Sequence, residues 1–284
     1  MSQQIGLIGF PLGHSISPAF QQAALDHYSL PVRYRAWPMP PEKLSDGVNK
    51  LRLDDFLGAN VTIPHKERVR VLLDHSDPWA MVVGAVNTIV KEEQGLVGHN
   101  TDAYGFLRGL REAAGFEPRG CTVLLLGAGG AARAASFGLA KEGIASLTIA
   151  NRTLERARSL ADDLRDSIAG VVGVSMDMDA LAEVAAKADL IVNATSVGMS
   201  RGDARTQTPL GADLIPPSAL VYDMVYTPIE TPLLLEARKA GARGLDGLPM
   251  LVYQGAASFE LWTGREAPIE VMFRAAKRAL AALG

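Results

Sequence analysis

Short apolar runs and longer amphipathic stretches alternate along this chain. Ile5–Gly9, Val32–Trp37, Ala59–Ile63 and Val123–Leu126 have the length of buried strands. Val86–Lys91 and Leu96–Asn100, joined by Glu92-Glu93-Gln94-Gly95, predict a β-hairpin. Ser17-Pro18 opens a helix through Tyr28, and Pro64 opens another, because proline suits the first helical turn. A helix over Ala103–Ala114 leads through Gly115, Pro118 and Gly120 into the strand at Val123, and that punctuation marks a domain boundary. Further strands follow at Ile149–Asn151, Val171–Val174, Leu190–Ala194 and Leu220–Met224, interleaved with helices. Gly198–Pro209 has no periodicity and reads as a mobile surface loop. A last helix over Pro268–Leu283 carries Val271, Ala275, Leu280 and Leu283 on its apolar side and is expected to pack back onto the first domain.

The strand at Val123 turns into Gly127-Ala128-Gly129-Gly130-Ala131-Ala132 and then into a helix, the pattern of a dinucleotide-binding βαβ unit. Gly127 suits a tight turn, Gly129 lets a pyrophosphate approach the backbone, and Ala132 keeps helix and strand close. The helix N-terminus offers free N–H groups to phosphates. A small-residue turn merely joining strand to helix is the plainer alternative. The next strand ends at Asn151-Arg152-Thr153, with Arg156 beyond and no carboxylate where an NAD binder usually carries one. Two guanidiniums there favour a 2′-phosphate, hence NADP.

Composition narrows the rest. At 284 residues, 48% hydrophobic and 21% charged, the chain has the make-up of an ordinary globular protein of about two domains. A net charge of −3 supplies no global attraction to nucleic acid or anionic membrane. The single cysteine, Cys121, excludes an intrachain disulfide, fits a reducing compartment and is expected to be a buried small hydrophobe. The start of the chain has no signal-like segment, and no run is long enough to span a bilayer, so a cytoplasmic location is expected. His14, His27, His65, His75 and His99 show no metal-ligand spacing, and neither a serine-hydrolase elbow nor a P-loop is present.

Polar residues cluster where strands of the first half end, the usual ligand edge of open α/β sheets. Ser15 and Ser17 follow the first strand; Ser17 also fits a helix N-cap ahead of Pro18. Asn60 and Thr62 share one strand face. Folding the hairpin sets Asn87 opposite about Asn100, with Asp102 just beyond. Lys66 falls in the first turn of the helix expected at Pro64, at the positive end of its dipole. That is a poor structural place for a lysine and a mild pointer to function; a solvated surface lysine is the alternative.

These fragments together resemble the shikimate dehydrogenase family. The matches are Gly9-Phe-Pro-Leu-Gly-His-Ser15-Ile-Ser17-Pro18, Gly58-Ala-Asn60-Val-Thr62-Ile-Pro-His-Lys66-Glu, Gly84-Ala-Val-Asn87-Thr and Asn100-Thr-Asp102. They continue with the glycine loop, Asn151-Arg-Thr-Leu-Glu-Arg156, Asn193-Ala-Thr-Ser, Tyr222-Asp-Met224-Val-Tyr226 and Asp246-Gly247-Leu-Pro-Met-Leu-Val-Tyr-Gln254, in the family's order over almost the whole chain. The resemblance implies an α/β fold. An N-terminal α/β substrate domain, residues 1–104 and 240–284, would hold a Rossmann NADP-binding domain, residues 105–239, with C-terminal helices returning to the substrate domain. It implies reversible NADPH-dependent reduction of 3-dehydroshikimate to shikimate, in aromatic amino-acid biosynthesis. Lys66 and Asp102 resemble the catalytic pair. Ser15, Ser17, Asn60, Thr62, Asn87, Tyr226 and Gln254 resemble substrate ligands. Gly127, Ala128, Gly129, Gly130, Ala131, Asn151, Arg152, Thr153, Arg156, Met224 and Gly247 resemble the cofactor site. The expected partner is a small-molecule substrate, with no nucleic acid, membrane or metal, and the chain is expected as a monomer or homodimer. Ala103 and Pro249 stand where many relatives have glycine, the latter bearing on the loop before Gln254.

Other readings remain at this point. A quinate or quinate/shikimate dehydrogenase shares the scaffold; such members often carry threonine for the second serine and an acidic residue after the second Rossmann strand, whereas this chain has Ser17 and Arg152. A divergent paralogue with slow shikimate turnover is another. A non-catalytic NADP-binding regulator would be expected to lose Lys66, Asp102 or the serine pair, and all are present.

Overall fold

The computed structural model describes residues 3–13, 15–199 and 206–283. The chain runs β1 (Gln3–Gly9), α1 (Ser17–His27), β2 (Val32–Pro38), α2 (Leu44–Lys50), β3 (Phe56–Val61), β4 (His75–Ser76), α3 (Pro78–Val83), β5 (Thr88–Glu92), β6 (Gly95–His99) and α4 (Asp102–Arg108). It continues with β7 (Thr122–Leu126), α5 (Gly130–Glu142), β8 (Ser146–Ala150), α6 (Leu154–Leu164), β9 (Val171–Val174), α7 (Met178–Ala185), β10 (Leu190–Asn193), β11 (Leu220–Asp223), α8 (Pro232–Lys239) and β12 (Arg243–Leu245). Two helices, α9 (Leu248–Thr263) and α10 (Ile269–Ala281), complete it. The backbone divides into two compact units, one of Met1–Gly105 with Leu251–Gly284 and one of Phe106–Met250.

The first unit is built on a six-stranded sheet in the order β2-β1-β3-β5-β6-β4. β1 pairs parallel with β2 and β3, and β5 runs antiparallel to both β3 and β6. Strand alternation sorts the side chains of β3. Ala59 and Val61 join Leu44, Val48 and Leu51 in an apolar cluster with Ile8, Ile89 and Leu96, while Asn60 faces the other way and meets Ser258 of α9. On that second face Trp262 of α9 donates its indole N–H to the Ile89 carbonyl at 2.9 Å. Gln21 of α1 donates to the Gly255 carbonyl of α9 at 2.8 Å. The last helix packs against α1 as expected, but its buried side is Met272, Ala275, Ala276 and Leu280. Ala275 and Leu280 are buried as expected, whereas Val271 is half-buried and Leu283, beyond the helix end at Ala281, is 45% exposed.

The second unit is a doubly wound parallel sheet in the order β12-β11-β10-β7-β8-β9. Val123–Leu126 of β7 are wholly buried, as a central parallel strand with both faces covered requires. Strand order reverses between β7 and β10, and such a switch point leaves a crevice at the carboxyl ends of the strands. β12 pairs with β11, so residues 240–250 belong to this unit, and the chain re-enters the first unit at Leu251 rather than at 240. The helix expected over 103–114 forms as α4 followed by a π-helical turn at Gly109–Ala113. Cys121 is half-buried rather than enclosed, since it precedes β7 in a surface turn. Of the expected mobile loop, residues 200–205 lie outside the described residues, and the described remainder forms no strand or α-helix. Among the described residues no helix is long and apolar enough to cross a membrane.

Candidate active site

Lys66 does not sit on a helix. After β3 ends at Val61 the chain passes through turns, with a cis peptide bond between Ile63 and Pro64, and a short 3-10 helix begins only at Arg68. His65, fully buried, fixes this segment by bonding its Nε2 to the Met39 carbonyl at 2.7 Å. Lys66 therefore does not face the positive end of a helix dipole, contrary to expectation. The Lys66 carbonyl instead accepts the amide of Val86 at 2.8 Å, which ties the lysine to the strand entry that carries Asn87.

The hairpin register is as expected. Thr88 pairs with His99, and the Asn87 amide donates to the His99 carbonyl. Asn100 follows with its side chain bonded at both ends, Nδ2 to the Ala85 carbonyl at 2.9 Å and Oδ1 from the amide of Asp102 at 3.1 Å. Asp102 is thereby held as the first residue of α4. Its Oδ2 accepts Lys66 Nζ at 2.6 Å and its Oδ1 accepts Asn87 Nδ2 at 3.0 Å. The lysine and aspartate side chains are 16% and 3% exposed, so this is an ion pair largely shielded from water yet open on the lysine side.

Gln254 joins the same group from α9, its Oε1 3.0 Å from Asn87 Nδ2. Pro249 lies in the first turn of α9, where it gives up no helical hydrogen bond, and Asp246 Oδ1 accepts the amide of Leu248 at 2.8 Å. Ser17 is the first residue of α1 and makes no capping bond, so the N-cap reading does not hold: its neighbour Ile16 occupies that position. Ser15 Oγ accepts the Ser17 amide at 3.3 Å. Thr62 is half-buried just beyond β3, and its methyl lies where any side chain on Gly9 would have to go, at the head of the loop carrying the two serines. Asn60 differs from these. It is buried with every polar atom engaged, Oδ1 by Tyr34 and Nδ2 by the Asn87 carbonyl, Thr88 and Ser258. Tyr226 lies in the second unit, half-buried beyond β11.

The second unit holds the residues expected for a dinucleotide. Gly127 has φ of +111°, a conformation that favours glycine, and its amide donates to the Ala150 carbonyl at 2.7 Å. No atom lies within 4 Å of where a Cβ on Gly129 would stand, and Gly129 caps α5 without any side-chain bond to the helix amides. That open, uncapped helix start, with Gly130 and Ala131 in its first turn and Ala128 buried behind, fits a pyrophosphate. Asn151 Nδ2 donates to the Thr153 carbonyl at 2.9 Å, closing the turn after β8, and Arg152, Thr153 and Arg156 are exposed beside it. At the ends of β10 and β11, Met224 donates its amide to the Asn193 carbonyl at 2.9 Å. A Cβ on Gly247 would stand 2.2 Å from the Met224 carbonyl oxygen, so only glycine fits there.

Several residues of these sites escaped sequence reasoning. Tyr34, Thr88, Thr101 and Ser258 are buried around Asn60 and Asn87, and nothing local marks them out. Asp223 is wholly buried between Thr231 Oγ1 at 2.6 Å, Asn193 Nδ2 at 2.9 Å and the Val225 amide at 3.0 Å. Burial pushes its carboxyl up to about 6 even though these donors favour the charged form.

Comparison with known proteins covers nearly the whole chain. The shikimate dehydrogenase substrate binding domain matches residues 7–89, the shikimate / quinate 5-dehydrogenase family residues 112–201, and the shikimate 5'-dehydrogenase C-terminal domain residues 247–277. A shikimate dehydrogenase (NADP(+)) of Methanopyrus kandleri is 48% identical, over 94% of this chain and 92% of that protein. The shikimate 5-dehydrogenase of Thermus thermophilus, solved with NADP(H) and shikimate, is 39% identical with a TM-score of 0.87 over 98% of this chain and all of that one. A quinate dehydrogenase from Corynebacterium glutamicum, solved with NAD, is 34% identical with a TM-score of 0.86 over 96% of this chain and 98% of that one. With the shielded lysine–aspartate pair in one unit, the glycine loop in the other and relatives of this identity over nearly its whole length, the chain belongs to the shikimate dehydrogenase family.

Proposed function

We propose that Lys66 and Asp102 are the catalytic pair of an NADP-dependent oxidoreductase that interconverts 3-dehydroshikimate and shikimate. The observation that carries this assignment is the shielded 2.6 Å bond between Lys66 Nζ and Asp102 Oδ2, braced by Asn87 on the other carboxylate oxygen. NADPH, when bound, supplies the hydride that reduces the ketone carbon. Negative charge then builds on the ketone oxygen, and Lys66 donates its proton there to complete the alcohol. In the reverse direction Lys66 takes the hydroxyl proton. Asp102 holds the ammonium in place and keeps the charge of the pair balanced.

Gln254 and Asn87 present amides beside the pair, suited to ring hydroxyls, and Ser15, Ser17 and Thr62 offer hydroxyls suited to the carboxylate. Tyr226 resembles a substrate ligand of the family. Gly127–Ala131 would take the pyrophosphate, Arg152 and Arg156 with Asn151 and Thr153 the 2′-phosphate end, and Met224 and Gly247 the nicotinamide end. The substrate is a small molecule, and a cytoplasmic setting agrees with a chain that has one cysteine and so no intrachain disulfide. Lys66→Ala tests the assignment: turnover falls roughly 10²–10⁴-fold while NADP binding is kept. Near-normal turnover in the folded variant removes Lys66 from the reaction.

A further inference from the structure

Behind the Lys66–Asp102 pair lies a line of buried polar side chains, and apart from Asn87 none of them has a part in the proposed reaction. Tyr34, Asn60, Thr88, Asn87, Thr101 and Ser258 are all at most about 5% exposed, a costly arrangement unless each group is satisfied. The sense of the bonds to both amides can be deduced. The Thr101 backbone N–H can only donate, so the Asn87 atom 2.8 Å away is its oxygen, and the Asn87 amide nitrogen therefore points at Asp102. The Asn87 backbone carbonyl can only accept, so the Asn60 atom 3.2 Å from it is nitrogen, and the Asn60 oxygen faces the Tyr34 hydroxyl at 2.7 Å. Burial raises the Tyr34 phenol above its ordinary value, which keeps it a donor.

Thr88 connects the two amides. Its hydroxyl accepts from Asn60 Nδ2 at 3.2 Å and, 3.1 Å from the Asn87 oxygen, donates there. Ser258 completes the shell: its Oγ lies 2.7 Å from the Thr88 hydroxyl, 3.0 Å from Asn60 Nδ2 and 3.0 Å from the Gln254 carbonyl of its own helix. The donors thus run in one direction, Tyr34 to Asn60 to Thr88 to Asn87 to Asp102, and such chains strengthen each member.

We propose that Thr88 is a positioning residue for the Lys66–Asp102 pair, its hydroxyl fixing the Asn87 amide so that nitrogen, not oxygen, faces the carboxylate, and that Asn60 serves this chain instead of binding substrate. A turned amide would set its oxygen against Asp102 Oδ1 and drive the carboxylate off the lysine. Two donors hold the Asn87 oxygen against that turn, the Thr101 N–H and the Thr88 hydroxyl, and only the second belongs to a side chain; on the nitrogen side Thr101 Oγ1 at 2.8 Å and Gln254 Oε1 at 3.0 Å add to the same preference. The inference rests on Lys66 and Asp102 being the catalytic pair.

Thr88→Val removes the hydroxyl at constant shape, and Thr88→Ser keeps it. In the full-length enzyme, with shikimate and NADP, Thr88→Val lowers kcat about tenfold, the worth of one neutral hydrogen bond, with KM for NADP unchanged. The pH profile of kcat moves with it, and Thr88→Ser restores both. Tyr34→Phe, which empties the head of the chain, gives a smaller loss of the same kind and serves if the valine variant does not fold. A Thr88→Val enzyme with kcat and pH profile within twofold of the parent overturns the proposal, as does a serine variant as impaired as the valine. Lys66→Ala measured alongside separates the two claims: full turnover there sinks the catalytic pair itself, whereas an inert Thr88→Val with a dead Lys66→Ala sinks the positioning role alone.

Discussion

Asp223 Oδ2 accepts the hydroxyl of Thr231 at 2.6 Å, joining the end of β11 to the start of α8, where the same hydroxyl accepts the amide of Leu234. The carboxylate is wholly buried, and burial raises its folded pKa to about 6 from an ordinary value of 3.8. A raised folded value means that the folded state holds the proton more tightly than the unfolded chain. The stabilisation is fully present below the ordinary value and is lost as pH rises through about 6. Asp223→Asn, which carries no charge at any pH, gains on the parent by about 1 kcal/mol between about pH 5 and about pH 7.5. Urea unfolding at the two pH values measures it; a difference that does not change with pH contradicts the assignment.

Gly247 approaches the Met224 carbonyl so closely that a Cβ would stand 2.2 Å from the oxygen. Gly247→Ala forces the β11 and β12 ends apart, costs about 2 kcal/mol and weakens NADP binding. Thermal unfolding and a fluorescence titration with NADPH check both effects. An alanine variant with parental stability and affinity would show that the loop yields easily.

Arg152 is exposed beside the turn after β8, where a 2′-phosphate would lie. Arg152→Ala raises KM for NADP about tenfold and leaves that for NAD nearly unchanged, because only the phosphate can pair with the guanidinium. Equal effects on both cofactors remove the arginine from that role.

Ser17 opens α1 without capping it, so its hydroxyl is not committed to the helix end. Ser17→Thr adds a methyl group at a buried position. It lowers kcat/KM for shikimate about tenfold and raises the quinate-to-shikimate ratio. An unchanged ratio places the source of discrimination elsewhere.

What the chain's pattern reveals depends on how local the determinant is. The register that sets Asn87 beside Asp102 was legible, because a short turn and one alternation fix a hairpin. The parallel Rossmann strands were legible as continuous apolar runs. Pro64 misled, since a proline that can open a helix sits equally well in a turn, and the buried contact of His65 with Met39 decides between them. β12 was missed because it is a three-residue edge strand with one buried residue. The bond of Asn60 to Ser258 spans 198 positions, and no local pattern marks a serine in mid-helix as its partner.

The initial rate of cofactor reduction with shikimate or quinate, each paired with NADP or NAD, tests the catalytic pair and its specificity most directly. Fast turnover is expected with shikimate and NADP, and at least about a tenfold lower kcat/KM for the other three pairs. Preference for quinate or for NAD would contradict the roles given to Ser17 and Arg152. No turnover in any pair, from folded protein that binds NADP, would contradict the catalytic reading of Lys66 and Asp102.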